Sequence, residues 1–153
     1  MREQEIHIRR FSLSDLDRII EIEQNSFTLD AFSEDVFKRW YRKCPDLFIV
    51  AEVAGVIAGY TITCILPRKG DIVSIAVDPL YRSIGIGKAL MNFTIDQLRA
   101  NGIEVVELEV RPTNSGGIRF WESLGFFTIG TIPGFYRDGM EALHMRKLVQ
   151  ENK

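Results

Sequence analysis

A glycine-containing turn between a predicted strand and a predicted helix is the feature that most constrains how this chain folds. The turn reads Tyr81-Arg82-Ser83-Ile84-Gly85-Ile86-Gly87-Lys88, after a strand predicted over residues 72–77 and before a helix predicted over residues 86–101. Such a turn leaves backbone N–H groups unpaired at the positive end of the helix dipole, which suits a phosphate or pyrophosphate. The spacing lacks the third glycine of the dinucleotide fingerprint and the Gly-Lys-Ser/Thr of a P-loop. The turn therefore predicts a nucleotide-type cofactor, unless the glycines only let the helix start close to the strand.

The composition is that of an ordinary globular domain. The chain has 153 residues and a formal net charge of -2 at pH 7, so we expect a single domain over residues 1–153 without a nucleic-acid-binding surface. No apolar run is long enough to cross a bilayer, and no apolar segment follows Met1, which together predict a cytoplasmic protein without membrane contact. Cys44 and Cys64 lack metal-ligand spacing, and in a reducing compartment we expect thiols rather than a disulfide.

Hydrophobic periodicity and turn residues predict a mixed α/β sheet with the element order β-α-α-β-β-β-α-β-α-β-β. The three strands immediately before the glycine turn, over residues 47–77, should form an antiparallel meander. The strand–helix–strand unit around the turn should be a right-handed parallel crossover. The predicted strands are 6–10, 47–53, 56–66, 72–77, 105–111, 126–132 and 142–148, and the predicted helices are 12–27, 33–44, 86–101 and 115–124.

Charged side chains share one face of the strand predicted over residues 105–111. A period of two places Glu107, Glu109 and Arg111 on that face and three apolar side chains on the other. Three charges on one face of an interior strand require an aqueous cleft, and of the two glutamates Glu107 is expected to be structural. His7 and His144 show no partner pattern and are expected to be structural, and no metal site is predicted.

Four segments of the chain together carry a family resemblance. They are residues 73–78 with the glycine turn, residues 108–114, Ser123-Leu124-Gly125-Phe126, and residues 135–143. In content and order they resemble the GNAT superfamily of acetyl-CoA-dependent N-acyltransferases, and most closely its RimI-type branch of protein N-terminal acetyltransferases. The resemblance covers essentially the whole chain and implies the three-layer GNAT fold, in which the central strands of the sheet splay apart.

The resemblance implies that acetyl-CoA binds at the glycine turn and that coenzyme A is the product. The backbone of the turn would hold the pyrophosphate, and the backbone of the preceding strand would pair with the pantetheine arm. Asn114 would contact this arm while also capping the next helix. The implied cofactor-binding positions are Ile75, Ala76, Val77, Arg82, Ser83, Ile84, Gly85, Ile86, Gly87, Lys88, Asn114 and Trp121.

Trp121 departs from the family pattern. Relatives generally carry a tyrosine there, assigned as the acid that protonates the departing thiolate. An indole N–H can donate a hydrogen bond but not a proton near neutral pH, so packing is the favoured role for Trp121. Either the thiolate leaves with only hydrogen-bond or water assistance, which a thiol pKa of about 8.5 permits, or another hydroxyl replaces the phenol.

Acetyl transfer to an amine requires an unprotonated nucleophile, and the resemblance indicates a carboxylate as the base. An α-amino group, with a reference pKa of about 7.7 to 8.0, needs less help than a lysine near about 10.4. Glu109 occupies the position of the RimI-type base, the alternative being an ion pair with Arg111. Asp71 stands where some relatives carry a second base, the alternative being a plain turn residue.

The resemblance implies two groups of residues that line the binding site of the acceptor peptide. They are Phe27, Leu29 and Asp30, between the first two helices, and Tyr136, before the last strand. The predicted function is acetyl transfer from acetyl-CoA to the α-amino group of a protein or peptide N terminus. Two alternatives stay open: an acetyltransferase for a small amine or a lysine side chain, and a non-catalytic acetyl-CoA-binding regulatory module. We expect a monomer or weak homodimer, and no auxiliary subunit is identified.

Overall fold

The computed structural model describes residues 5–27 and 30–150. It divides into two compact units. The first contains the residues up to Cys64 together with Val73–Asp96, and the second contains Ile65–Ile72 together with the residues from Gln97 onward. The single-domain organisation therefore stays a prediction.

The elements follow the predicted order. The strands are β1 (Ile6–Arg10), β2 (Leu47–Val53), β3 (Val56–Ile65), β4 (Lys69–Val77), β5 (Val105–Val110), β6 (Phe127–Ile132) and β7 (Ala142–Leu148). The α-helices are α1 (Leu16–Ser26), α2 (Glu34–Lys43), α3 (Ile86–Ala100) and α4 (Ser115–Ser123), and 3-10 helices cover Leu13–Asp15 and Pro79–Tyr81.

The strands form a seven-stranded mixed sheet in the order β1-β2-β3-β4-β5-β7-β6. β1 and β3 are antiparallel to β2, and β6 and β5 are antiparallel to β7. β4 runs parallel to β5, with Lys69 opposite Val105 and Asp71 opposite Glu107. The mixed α/β class and the parallel crossover are thus confirmed. β4 begins at Lys69 rather than at residue 72, because the residues expected to form a turn already pair with β5.

The core of the first unit lies on both faces of β2, which explains the uninterrupted apolar run in this strand. Phe48 and Val50 face a cluster that includes residues of α1 and α2, whereas Ile49 and Ala51 face a cluster that includes residues of α3. All four side chains are fully buried. Alternation along a strand places neighbours on opposite faces, so a strand covered by helices on both sides must be apolar throughout.

A disulfide joins Cys44, at the end of α2, to Cys64 of β3, with their Cα atoms 5.2 Å apart. The prediction of two thiols was wrong. It relied on the reducing character of the expected compartment, whereas the packing of α2 against the sheet of the first unit brings the two cysteines to bonding distance. Sequence spacing gives no sign of this pairing.

The second unit is built around β5 and β7. Val106 and Leu108 of β5 and Met145 of β7 are fully or nearly fully buried. Within residues 5–27 and 30–150 no helix is long and apolar enough to cross a membrane.

Candidate active site

The glycine turn of the first unit contains two residues with positive φ. Ser83 and Gly85 have φ angles of 68° and 90°, a left-handed conformation that glycine adopts without strain. The Gly85 carbonyl accepts the Ala89 N–H at 2.9 Å, which starts the hydrogen bonding of α3. Because the first N–H groups of a helix have no acceptor within it, the amides at the start of α3 are available to a ligand at the exposed turn.

Asp78 anchors the chain where it enters this turn. Its carboxylate accepts the Leu80 N–H at 2.9 Å, and its own N–H donates to the Ala58 carbonyl at 2.8 Å. Arg18 of α1 donates to the other carboxylate oxygen and, through Nε, to the Ile57 carbonyl at 3.0 Å. The Leu80 N–H and the Arg18 guanidinium lower the pKa of Asp78 in spite of its burial. Asp78 is thus held as an anion that ties the turn to α1.

The strand segment before the turn is packed closely by β3. Ala76 is buried, and Ile75 and Val77 pack against the cluster shared with α3. A Cβ atom on Gly59 would lie 2.9 Å from the Ala76 carbonyl oxygen, so only glycine allows this approach. Arg82 folds back over the same segment and donates through Nε to the Val77 carbonyl at 3.3 Å.

Glu107 is the centre of a charged cluster in the second unit. Its side chain is 5 % exposed and contacts Lys69 Nζ at 3.0 Å, His144 Nε2 at 2.9 Å and Arg146 Nε at 2.8 Å. Burial alone would raise the pKa of Glu107, but hydrogen bonds from Arg146, Lys69 and His144 outweigh it and lower this pKa to about 2. Three cationic or hydrogen-bonding side chains thus surround the Glu107 carboxylate and fix it on this face of the sheet.

Glu109 lies on the same face of β5 but in a different environment. It is partly buried and stands opposite His144 in the register of β5 and β7. Burial raises the pKa of Glu109, and the negative charge of Asp71 raises it further. A carboxyl group with a raised pKa takes up a proton more readily near neutral pH, which is the property required of a general base.

Tyr136 has a cationic neighbour in the second unit. The Arg111 guanidinium lies 4.0 Å from the centre of the Tyr136 ring, and Arg111 also donates to Asp138 at 3.0 Å. The Phe135 ring meets Tyr136 edge to face at 4.9 Å. These contacts hold the loop before β7 against the end of β5.

Asn114 caps α4 as predicted, because its Oδ1 accepts the Gly117 N–H at 2.9 Å. Trp121 of α4 is 6 % exposed and packs edge to face on Phe120 and Phe126, with ring centroids 5.0 and 5.1 Å apart. These contacts support the packing role that the sequence favours for Trp121. The contacts of Asn114 and Trp121 with a cofactor stay predictions.

The predicted acceptor residues between α1 and α2 are only partly described. Phe27 caps α1 by donating its N–H to the Glu23 carbonyl at 2.9 Å, and its ring packs against the core of the first unit. Asp30 is partly buried. Leu29 lies outside the described residues. Across the described part of the chain, no group of histidine, cysteine and acidic side chains could hold a metal ion.

The cluster around Glu107 is the part of the site that sequence reasoning missed. The sequence shows no partner for His144, whereas in the structure this residue and Arg146 both reach Glu107. Their spacing of two along β7 indicates a shared strand face. Only the pairing of β7 with β5 shows that this face is also the face of the two glutamates.

Comparison with known proteins identifies the class of protein that this fold and site define. The model of the acetyltransferase (GNAT) family matches residues 16–126. An N-alpha-acetyltransferase from Sulfurisphaera tokodaii is 33% identical over 154 residues, covering 92% of this chain and 92% of the relative. The crystal structure of Ard1 from Thermoplasma volcanium is 31% identical, with a TM-score of 0.90 over 95% of this chain and 99% of that one.

A third similar protein is the ribosomal-protein-S18-alanine N-acetyltransferase from Escherichia coli, whose crystal structure is 28% identical. Its TM-score is 0.84 over 97% of each chain. The present chain belongs to the GNAT family of acetyltransferases. Its enzyme class is that of an acetyl-CoA-dependent N-acetyltransferase, as the sequence predicts.

Proposed function

We propose that this protein transfers the acetyl group of acetyl-CoA to the α-amino group of a protein or peptide N terminus. The observation that carries the proposal is the similarity, over 92% of the chain, to a protein named N-alpha-acetyltransferase. The similarity to an S18-alanine N-acetyltransferase supports the same acceptor class. The partly buried Glu109 would supply the base for such a reaction, and the glycine turn would supply the amides for the cofactor pyrophosphate.

The first unit supplies the residues that would hold acetyl-CoA. The amides of residues 84–88 would face the pyrophosphate, with the side chain of Arg82 beside them, and the backbone of Ile75, Ala76 and Val77 would face the pantetheine arm. The positive φ of Gly85, the exposure of the turn and the start of a 15-residue helix all fit a phosphate-bearing ligand. When bound, acetyl-CoA supplies an activated acetyl thioester.

Glu109 would accept the proton of the acceptor amine, directly or through water. An α-amino group has a reference pKa of about 7.7 to 8.0, so part of it is already unprotonated near neutral pH. The raised pKa of Glu109 lies closer to the pKa of the amine than that of an ordinary glutamate, so Glu109 accepts this proton more readily. Asp71 is the proposed second carboxylate, and its charge already contributes to the raised pKa of Glu109.

The proposed acceptor contacts are Phe27, Leu29, Asp30 and Tyr136. Arg111 holds Tyr136 in place, while the carboxylate of Asp30 would attract the ammonium form of an arriving N terminus. A cytosolic location and a monomeric or weakly dimeric state stay predictions.

Mass spectrometry of acetylated peptides tests the proposal. Peptides that differ in their first residue, each with one internal lysine, are incubated with acetyl-CoA and the purified protein. Acetyl found only on the α-amine supports the proposal and gives the residue preference. Acetyl on lysine would indicate a side-chain acetyltransferase. Binding of acetyl-CoA without transfer would indicate a regulatory module.

Two variants test the assigned roles. Glu109→Gln should lower kcat with little change in the Kd for acetyl-CoA, because it removes the base and leaves the glycine turn intact. Gly87→Glu should abolish acetyl-CoA binding, because it puts bulk and negative charge where the pyrophosphate would lie. Glu122→Gln, at an exposed position of α4, is the matched control for a lost carboxylate. Unchanged kcat in Glu109→Gln would remove Glu109 as the base.

A further inference from the structure

A buried hydrogen-bond chain in the first unit connects α1, β3 and β4. Glu23 of α1 is 1% exposed, and its Oε1 accepts a hydrogen bond from the hydroxyl of Tyr60, which is fully buried on β3. The Tyr60 oxygen lies 3.0 Å from Ser74 Oγ on β4. Because the Tyr60 proton is directed to Glu23, the Ser74 hydroxyl is the donor in the second bond. Both hydroxyl groups therefore donate in the direction of the Glu23 carboxylate.

The second oxygen of the Glu23 carboxylate holds the residue just before α2. Oε2 accepts the Phe32 N–H at 2.8 Å. The Phe32 ring packs edge to face on Phe37, with centroids 5.6 Å apart. Phe32 is thus fixed through its backbone by the carboxylate and through its side chain by the core.

A carboxylate is a costly group with which to join elements that already pack through apolar residues. Burial raises the pKa of Glu23, although the hydrogen bonds from Tyr60 and Phe32 act in the opposite direction. An apolar side chain of similar length would fill the same volume without the desolvation of a charge. What such a side chain could not do is fix the directions of the Tyr60 hydroxyl and the Phe32 amide. The carboxylate therefore contributes precise placement more than stability.

The two ends of this hydrogen-bond series, Phe32 and Ser74, adjoin the two ligand-binding segments of the proposed function. Ser74 directly precedes Ile75, the first residue of the segment assigned to the acetyl-CoA arm. Phe32 follows Asp30, assigned to the acceptor, by two positions. We propose that Glu23, Tyr60 and Ser74 are positioning residues. They hold Phe32, two positions after the acceptor residue Asp30, at a fixed place relative to the acetyl-CoA segment of β4.

This inference rests on the proposed function, because it takes the roles of both segments from there. The three residues act through the backbones of Phe32 and β4 rather than on the reacting atoms. Removing one of these hydrogen bonds should therefore raise the KM for the acceptor, while kcat and the Kd for acetyl-CoA change little.

The variant Tyr60→Phe tests the link, because it removes one hydroxyl and keeps the ring in the core. We expect the KM for an acceptor peptide to rise about fivefold, with kcat and the Kd for acetyl-CoA changed less than about twofold. Thr94→Val is the matched control, since it removes a buried hydroxyl that bonds the Leu90 carbonyl at 2.9 Å within α3. An unchanged peptide KM in Tyr60→Phe, or an equal change in both variants, would overturn the proposal.

Two substitutions of Glu23 separate placement from packing. Glu23→Gln retains an oxygen acceptor for the Phe32 amide and a polar partner for Tyr60, so it should keep most of the peptide affinity. Glu23→Met has similar length but no strong acceptor, so the peptide KM should rise at least as much as in Tyr60→Phe. Hydrogen exchange of the Phe32 amide should also become at least about tenfold faster in Glu23→Met. Unchanged exchange and unchanged KM in Glu23→Met would contradict the positioning role.

The exchange measurement also distinguishes failure of this inference from failure of the proposed function. If the wild-type protein acetylates no peptide, the proposed function fails, but Phe32 exchange can still be compared among the variants. Faster Phe32 exchange in Tyr60→Phe than in Thr94→Val supports the link. Equal exchange in these two variants overturns it.

Discussion

Replacing Glu107 by glutamine should remove a large, pH-dependent share of the stability of the protein. Glutamine resembles the protonated carboxyl, so the loss can be worked from the pKa of Glu107, which is lowered from 4.5 to about 2. At about 1.4 kcal/mol per pKa unit, the ionised carboxylate contributes about 3 kcal/mol at about pH 7. The side chain is only 5 % exposed, so solvent screens this contribution weakly.

The sign of the pH dependence follows from the direction of the shift. A carboxyl whose pKa is lowered by folding stabilises the fold above its unfolded pKa, and this stabilisation is lost as pH falls from 4.5 toward about 2. The difference in unfolding free energy between wild type and Glu107→Gln should therefore shrink to about 1.4 kcal/mol at about pH 3.

Urea unfolding of both proteins across this pH range measures the difference directly. Glu122→Gln, which removes an exposed carboxylate of α4, should differ from wild type by less than about 0.5 kcal/mol at every pH. A difference of Glu107→Gln from wild type that stays constant with pH, or that is below about 1 kcal/mol at about pH 7, would refute the reasoning. It would mean that attraction to the three neighbouring groups only offsets the cost of burying the carboxylate.

Three further predictions concern stability and rate. Replacing both Cys44 and Cys64 by serine should lower the unfolding free energy by about 3 kcal/mol, because the bridge closes a sequence separation of 20; an unfolding midpoint unaffected by reductant would contradict this. Gly59→Ala should cost about 1 to 3 kcal/mol in urea unfolding, because its Cβ would lie 2.9 Å from a β4 carbonyl oxygen. Gly130→Ala, whose Cβ would meet nothing within 4 Å, is the control. Because the acceptor α-amine itself titrates at about 7.7 to 8.0, the logarithm of kcat/KM should fall with a slope of about 1 below that pKa and of about 2 below the pKa of Glu109. The pKa of Glu109 is raised above 4.5, and Glu109→Gln should keep the first slope and lose the second.

Local sequence signals were sufficient for the elements and for the turn. The alternation in Ile6–Arg10 and the apolar run of Leu47–Val53 predict strands with the observed bounds. Asn114 caps α4 as predicted, and Gly85 has the positive φ that a sharp turn before a helix requires. These features depend on interactions within a few residues, so they can be predicted without knowing what packs against them.

Pairing of distant residues could not be predicted in the same way. The Cys44–Cys64 disulfide, the contacts of Glu107 with β4 and β7, and the hydrogen bond between Glu23 and Tyr60 each join residues far apart in sequence. A period of two shows that Glu107 and Glu109 share a strand face, but it does not show which strands lie on either side. As a result, two glutamates that look alike in the sequence have pKa values shifted in opposite directions.

The sequence by itself determined the element order, the glycine turn and the family, because each depends on local patterns of residues along the chain. The tertiary structure alone decided which carboxylate is neutralised by cations and which is left with a raised pKa. The physical reason is that a pKa depends on burial and on charges within a few ångströms, and the neighbours that supply them come from strands and helices distant in sequence.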